Sequence, residues 1–198
     1  MNTLILVDIQ NDFLPGGALA VPGGDEVISA ANLLMRDFDL VVATQDWHPS
    51  DHGSFARNHP GRAVFETIAL HGLPQTLWPV HCVQETHGAE FAAALDSARI
   101  DQIFRKGTRP EIDSYSGFHD NGRRHSTGMA GWLRGRGVTH VTVCGLATDY
   151  CVKFTALDAF DEGFRVTLAT HACRGVNLKP GDVDQAIAEM SQRGITIA

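Results

Sequence analysis

The stretch Val138-Thr139-His140-Val141-Thr142-Val143, followed by Cys144-Gly145-Leu146-Ala147-Thr148-Asp149-Tyr150-Cys151 and then Val152 to Phe160, decides the fold. Its first part is a nearly continuous β-branched run, as expected of a strand buried on both faces of a parallel sheet. Its last part carries Val152, Ala156, Ala159 and Phe160 at helical spacing. Cys151 therefore stands where a loop after a buried strand gives way to a helix. Further strand-like runs lie at Leu4-Ile5-Leu6-Val7, Leu40-Val41-Val42-Ala43, Ile103-Phe104, Arg165 to Ala169 and Ile195 to Ile197. Between them, Val27, Ala31 and Leu34 form one helical stripe, and Met129, Trp132 and Leu133 a shorter one ending near Gly137. A last helix is expected to be capped by Asp182, to bury Val183, Ile187 and Met190, and to end at Gly194. Alternation of this kind predicts an α/β fold with helices on both faces of a parallel sheet.

Residues 45 to 100 break the rhythm with Pro49, Pro60, Pro74 and Pro79 and a concentration of histidines; one helix is expected there, at about Ala89 to Ala98. A long irregular segment in a compact chain is often functional. The 198 residues, 43% hydrophobic, are read as one domain, 1–198, with a core of its own. A formal charge of −7 argues against a nucleic-acid surface, since phosphate binding needs clustered Lys and Arg. Apolar runs of strand length exclude a membrane-spanning helix, and Met1 leads into the first of them without a basic leader. Four cysteines with no C-x-x-C pair read as reduced thiols in a cytoplasmic protein. No G-x-G-x-x-G follows a strand, so a dinucleotide site has no support.

In open α/β sheets ligands bind beyond the carboxyl ends of the strands. There stand Asp8 of V-D-I-Q-N-D-F, Asp46-Trp47-His48, Lys106-Gly107 and the loop reaching Cys151. A thiol near a helix N-terminus is expected to have a lowered pKa, and neighbouring amides can form an oxyanion hole. Free cysteine is usually a small buried hydrophobe, the reading that suits Cys144. Asp8 reads as a general base or as a turn carboxylate, and Lys106 as a site cation or a snorkelling surface residue. Their convergence at one sheet edge favours the functional readings. In an extended segment Asp46 and His48 point the same way and can share one metal, with His81 and His52 as candidate third ligands.

Taken together, V-D-I-Q-N-D-F-L-P-G-G at Val7 to Gly17, D-W-H-P at Asp46 to Pro49, W-P-V-H-C-V at Trp78 to Val83, R-K-G at Arg105 to Gly107, D-S-Y-S-G-F at Asp113 to Phe118 and G-L-A-T-D-Y-C-V at Gly145 to Val152 resemble a known family. The family is that of the nicotinamidases, or pyrazinamidases, in the isochorismatase-like cysteine hydrolase superfamily. The resemblance implies a three-layer α/β/α fold on a six-stranded parallel sheet of order 3-2-1-4-5-6. It also implies hydrolysis of nicotinamide, and of pyrazinamide, in NAD salvage, through a cysteine thioester. Cys151 would attack the carboxamide, Asp8 relay protons and Lys106 support the charges on both. One divalent metal, zinc first with iron or manganese as alternatives, would sit on Asp46, His48 and His81. His52 would be either a further ligand or a residue just outside the ligands. A cis peptide before Ala147 would turn the amides of Ala147 and Cys151 toward the oxyanion, and Phe13, Trp78 and Tyr115 would wall the ring. Family members are monomers or homo-oligomers. Two other readings stay open: another small-amide, carbamoyl or isochorismate-like hydrolase, and a non-catalytic metal or redox module. Lys106 is the awkward member, because a third-strand residue starts roughly 10 Å from the first strand, given ~4.8 Å strand spacing, and must lean across the second.

Overall fold

The computed structural model describes residues 1–198. Six parallel strands form the central sheet: β1 Thr3–Val7, β2 Leu40–Asp46, β5 Gln102–Lys106, β6 His140–Leu146, β7 Arg165–Arg174 and β8 Thr196–Ile197. Their spatial order is β5-β2-β1-β6-β7-β8. An antiparallel hairpin, β3 Thr67–Leu70 with β4 Leu73–Thr76, stands apart from the sheet. With the hairpin set aside, the order is the expected 3-2-1-4-5-6. The helices α1 Glu26–Leu34, α2 Met129–Arg134, α3 Lys153–Asp161 and α4 Asp182–Gln192 flank the sheet in a three-layer α/β/α arrangement.

The strands were readable because all of β1 and β2 is buried, and in β6 only His140 is not. With both faces covered, apolar residues fill nearly every position rather than alternate ones. Cys144 lies in β6 with no exposure, the small-hydrophobe role expected of it. Register then does the positioning. Leu6 pairs with Ala43 and with Cys144, and Asp46 pairs with Lys106. The carboxyl ends of β1, β2, β5 and β6 are thus brought side by side.

Three local expectations are corrected. No helix forms over Ala89 to Ala98; only short 3-10 turns at His87–Ala89 and Ser97–Arg99 do. Alanine-rich propensity is overridden by tertiary hydrogen bonds, in which Ala89 carbonyl accepts from Gln10 and Gln45, Ala94 carbonyl from Asn32, and Ala92 N–H donates to Ile9. Within the segment read as irregular, β3 and β4 pair as a hairpin, and β4, one of two isolated strands, tolerates Pro74. His71 and Gly72 turn the hairpin, both with positive φ, at 46° and 87°. Asp182 is the first residue of α4 rather than its cap; Gly181 holds the capping position at φ 94°, and Asp182 instead accepts from Lys179 N–H.

Candidate active site

Asp8 follows β1 in a left-handed conformation, φ 50°, and is fully buried. Its N–H donates to Thr44 Oγ1, whose hydroxyl donates back to Asp8 Oδ1 at 2.5 Å. Lys106 Nζ lies 2.8 Å from Asp8 Oδ2, 2.5 Å from Asp46 Oδ1, 3.0 Å from Ser114 carbonyl and 3.4 Å from Cys151 Sγ. The lysine does lean across β2, and its side chain has no exposure. The Lys106 contact to Asp8 is an ion pair without hydrogen-bond alignment, so Asp8 Oδ2 has no aligned donor. A buried carboxylate oxygen without a donor is an acceptor in waiting. Oxygens of Asp8 and Asp46 and the sulfur of Cys151 all lie within 4.8 Å of one another.

The charges follow from this crowding. Burial raises the Asp8 carboxyl above the usual range, against the pull of Lys106 and with a push from Asp46. Burial alone would raise Asp46 too, but Lys106 and His48 hold it well below. Burial pulls the Lys106 ammonium down, but Asp46 and Asp8 outweigh it and raise the lysine well above its ordinary value. Cys151 is the correction. Burial pushes its thiol well above the ordinary value despite Lys106, so the expected lowering by a helix end does not prevail. A π-helical turn, Thr148–Val152, precedes α3, so Cys151 lies inside that turn rather than at the α-helix start. The peptide Leu146–Ala147 leading into that turn is cis.

Next to this group, Asp46 Oδ2 lies 3.5 Å from His48 Nε2 and 3.8 Å from His81 Nε2. His48 Nδ1–H donates to Gly107 carbonyl and His81 Nδ1–H to Pro79 carbonyl, both at 2.8 Å. Each carbonyl fixes the tautomer and leaves Nε2 with its lone pair beside Asp46. One carboxylate and two imidazoles so prepared fit a divalent metal. Gly107, at φ 62°, has to be glycine, since a Cβ there would meet His48 at 2.3 Å. His52 differs. Its Nδ1 accepts from Ser54 N–H, which leaves the ring proton on a buried Nε2 with no protein partner. Burial, aided by His48, lowers this ring to about 4.

Phe13, Trp78 and Tyr115 line one cavity with Asp46, His81, Ala147 and Cys151. Sequence reading missed Asp113, Tyr150 and Val176, which line it as well. It also missed Gln75 of β4, which donates to Asp113 Oδ2 and to Tyr115 hydroxyl, and Gln10, whose amide brackets the Asp46 backbone through both its N–H and its carbonyl. Gln10 and Asp113 fall inside the motifs quoted above; nothing in the sequence marks Gln75 or Val176.

With this geometry in hand, the comparisons with known proteins fall into place. The isochorismatase domain model matches residues 2–198. The nicotinamidase of Escherichia coli strain K12 is 50% identical, over 98% of this chain and 92% of its own. The yeast nicotinamidase bound to the inhibitor nicotinaldehyde superposes with a TM-score of 0.95 at 35% identity, covering 100% of this chain and 99% of that one. The pyrazinamidase of Pyrococcus horikoshii in complex with zinc gives a TM-score of 0.80 at 43% identity, covering 100% and 98%.

Proposed function

The chain belongs to the isochorismatase domain family, and on that premise we infer that it hydrolyses nicotinamide to nicotinic acid and ammonia, as a step of NAD salvage. It is a hydrolase acting on a carboxamide C–N bond, and pyrazinamide is a second substrate. What carries the reading is one juxtaposition. A cavity with aromatic walls is lined by Cys151, Asp46 and His81; Cys151 is backed by Asp8 and Lys106, and Asp46 and His81 stand together with His48.

In the resting site the Cys151 thiol is protonated, and Asp8 Oδ2 is the acceptor open to its proton. As Asp8 takes the proton, Lys106 stabilises the thiolate that attacks the carboxamide carbon. The amides of Ala147 and Cys151 receive the oxyanion. Collapse expels ammonia with the proton from Asp8 and leaves a thioester on Cys151. Asp8 then takes a proton from water, which attacks the thioester and frees nicotinic acid and the thiol. Phe13, Trp78 and Tyr115 hold the ring flat. Asp46, His48 and His81 would hold a divalent metal, zinc in the first instance, which supplies a Lewis-acidic position for the pyridine nitrogen. His52, with its proton on Nε2, stands just outside the ligands rather than among them. The unpaired cysteines accord with a cytoplasmic setting, and no helix is long and apolar enough to cross a membrane.

The test is ammonia release over a small amide panel. Nicotinamide and pyrazinamide carry a ring nitrogen meta to the carboxamide; benzamide offers the same flat ring without it. Holding a substrate at both ends fixes the attack geometry, so nicotinamide is expected to exceed benzamide in kcat/KM by on the order of 100-fold, about 3 kcal/mol. Equal specificity constants would point to a general small-amide hydrolase, and no ammonia from any amide would refute the hydrolase. A second prediction concerns Asp46→Ala, His48→Ala and His81→Ala. Each is expected to lower bound metal below about half an equivalent and to raise KM about tenfold, because a three-ligand site cannot lose one ligand without weakening. Elemental analysis of the purified variants decides it; full metal content in all three would remove the site.

A further inference from the structure

The cavity at Cys151 has a volume of only 30 Å³. A water needs ~10–15 Å³ by that measure and ligand pockets run to about 300–1,000 Å³, so a pyridine carboxamide fits tightly here and a wall that can yield would ease its entry. Most walls are tied down. Trp78 Nε1–H and Gln75 both donate to Tyr115 hydroxyl, and Gln75 also holds Asp113. Val176 is different, because it comes from the segment between β7 and α4. Its neighbours Gly175 and Asn177 line a second cavity of 430 Å³, with Thr148, Cys173 and Val183. The segment therefore has the reaction cavity on one side and free space on the other.

Its backbone N–H groups are held by one carboxylate, and Asn177 Oδ1 adds a longer bond of 3.4 Å from Val183 N–H. Asp149 Oδ1 accepts from Val176 N–H at 2.9 Å and Oδ2 from Asn177 N–H at 2.7 Å. Asp149 is buried, two residues before Cys151 and in the same π-helical turn. The segment is shaped to this seat: Asn177 adopts φ 55°, and a Cβ at Gly175 would meet Val183 Cγ2 at 2.3 Å and Asp149 Oδ1 at 2.9 Å. Paired N–H groups on a buried carboxylate are strong but separable, unlike a packed hydrophobic contact.

We propose that Asp149 is a positioning residue that latches residues 175–178 as the movable wall of the substrate cavity, fixing Val176 opposite Cys151 once the ring has entered. The proposal rests on carboxamides binding in this cavity, and it assigns a residue to setting the affinity for substrate rather than to bond-making. When the latch opens, the segment withdraws toward the second cavity and the ring passes; when it closes, wall and nucleophile turn become one unit.

The test compares wild-type protein with Asp149→Asn, which keeps one acceptor and turns an N–H₂ toward the other backbone donor. Amide hydrogen exchange of Val176 and Asn177, measured without substrate, is expected to quicken about tenfold or more while α3 amides stay unchanged. KM for nicotinamide is expected to rise about tenfold with kcat within about threefold, the pattern of lost binding rather than lost chemistry. Unchanged exchange at both amides overturns the latch. Faster exchange with unchanged KM, or a fall in kcat alone, overturns the positioning role, since a merely structural residue lowers the folded fraction and not the affinity. If Asp149→Asn does not fold, Val176→Ala keeps both N–H groups and removes only the wall; a KM within about twofold of wild type then overturns the proposal, and a rise of about fivefold or more upholds it. A wild-type protein inactive on nicotinamide would sink the functional reading, while the exchange measurement would still judge the latch.

Discussion

Replacing Cys151 by alanine is expected to cut nicotinamide turnover by a factor on the order of 10⁴ or more, with fold and metal content retained. The size follows from what remains. No other thiol lines the cavity: Cys144 is sealed inside β6, and Cys82 and Cys173 are buried away from it. Water could attack the carboxamide directly with Asp8 as base, but it would lose the thioester that divides one difficult step into two easier ones. The structural cost is small by comparison, since a thiol is exchanged for a methyl at a site 8% exposed, a change of about 1 kcal/mol. Wild-type enzyme quenched during turnover should carry a nicotinoyl adduct on Cys151 by mass spectrometry, and the variant none. Ammonia release from Cys151→Ala within about tenfold of wild type would end the nucleophile assignment.

Lys106→Met is expected to damage both stability and activity. The methionine keeps the stem and discards the charge, so that Asp8 and Asp46, buried within 4.8 Å of each other, lose the ammonium that both of them face, and Asp8 has no other cation. Breaking a buried ion pair from one side costs about 3–5 kcal/mol, because the abandoned charge cannot return to water. Asp8, the carboxylate that no metal ligation would compensate, escapes by taking up a proton, which limits the loss of stability and creates a loss of function. Once protonated, Asp8 can no longer accept from the thiol. Turnover is therefore expected to fall about 100-fold or more even in the fraction that folds. Urea unfolding should show a lower midpoint at an unchanged slope. Stability within about 1 kcal/mol of wild type and turnover within about tenfold would show that Lys106 is replaceable, contrary to its contacts.

The sheet was legible because β1, β2 and β6 are buried on both faces, which writes them into the sequence as unbroken apolar runs. Asp8, Asp46, Lys106 and Cys151 were legible for a related reason: each interrupts or follows such a run at the strand end where ligands bind. The segment 45–100 was not, since its shape comes from contacts distant in sequence. The run Ala89 to Ala98 has every local reason to be helical and is held otherwise by Gln10, Gln45 and Asn32. Gln75 and Val176 escaped notice because an ordinary glutamine and an ordinary valine acquire their places only through the hairpin turn and the Asp149 carboxylate. The Cys151 thiol went the wrong way because a position beside a helix is a local fact, whereas burial beside two carboxylates is a global one.

Four strands contribute to the group around Lys106, and the contacts that make it span 36 residues from Asp8 to Thr44, 60 from Asp46 to Lys106 and 45 from Lys106 to Cys151. Chains dominated by such distant pairings form them late, after loop closure has been overcome. A partly assembled chain, lacking either β5 or β6 in register, has no reactive centre at all and not a weak one. Regain of activity during refolding should therefore trail the return of helical signal and coincide with completion of the sheet, so that the chemistry serves as a clock for the last step of assembly.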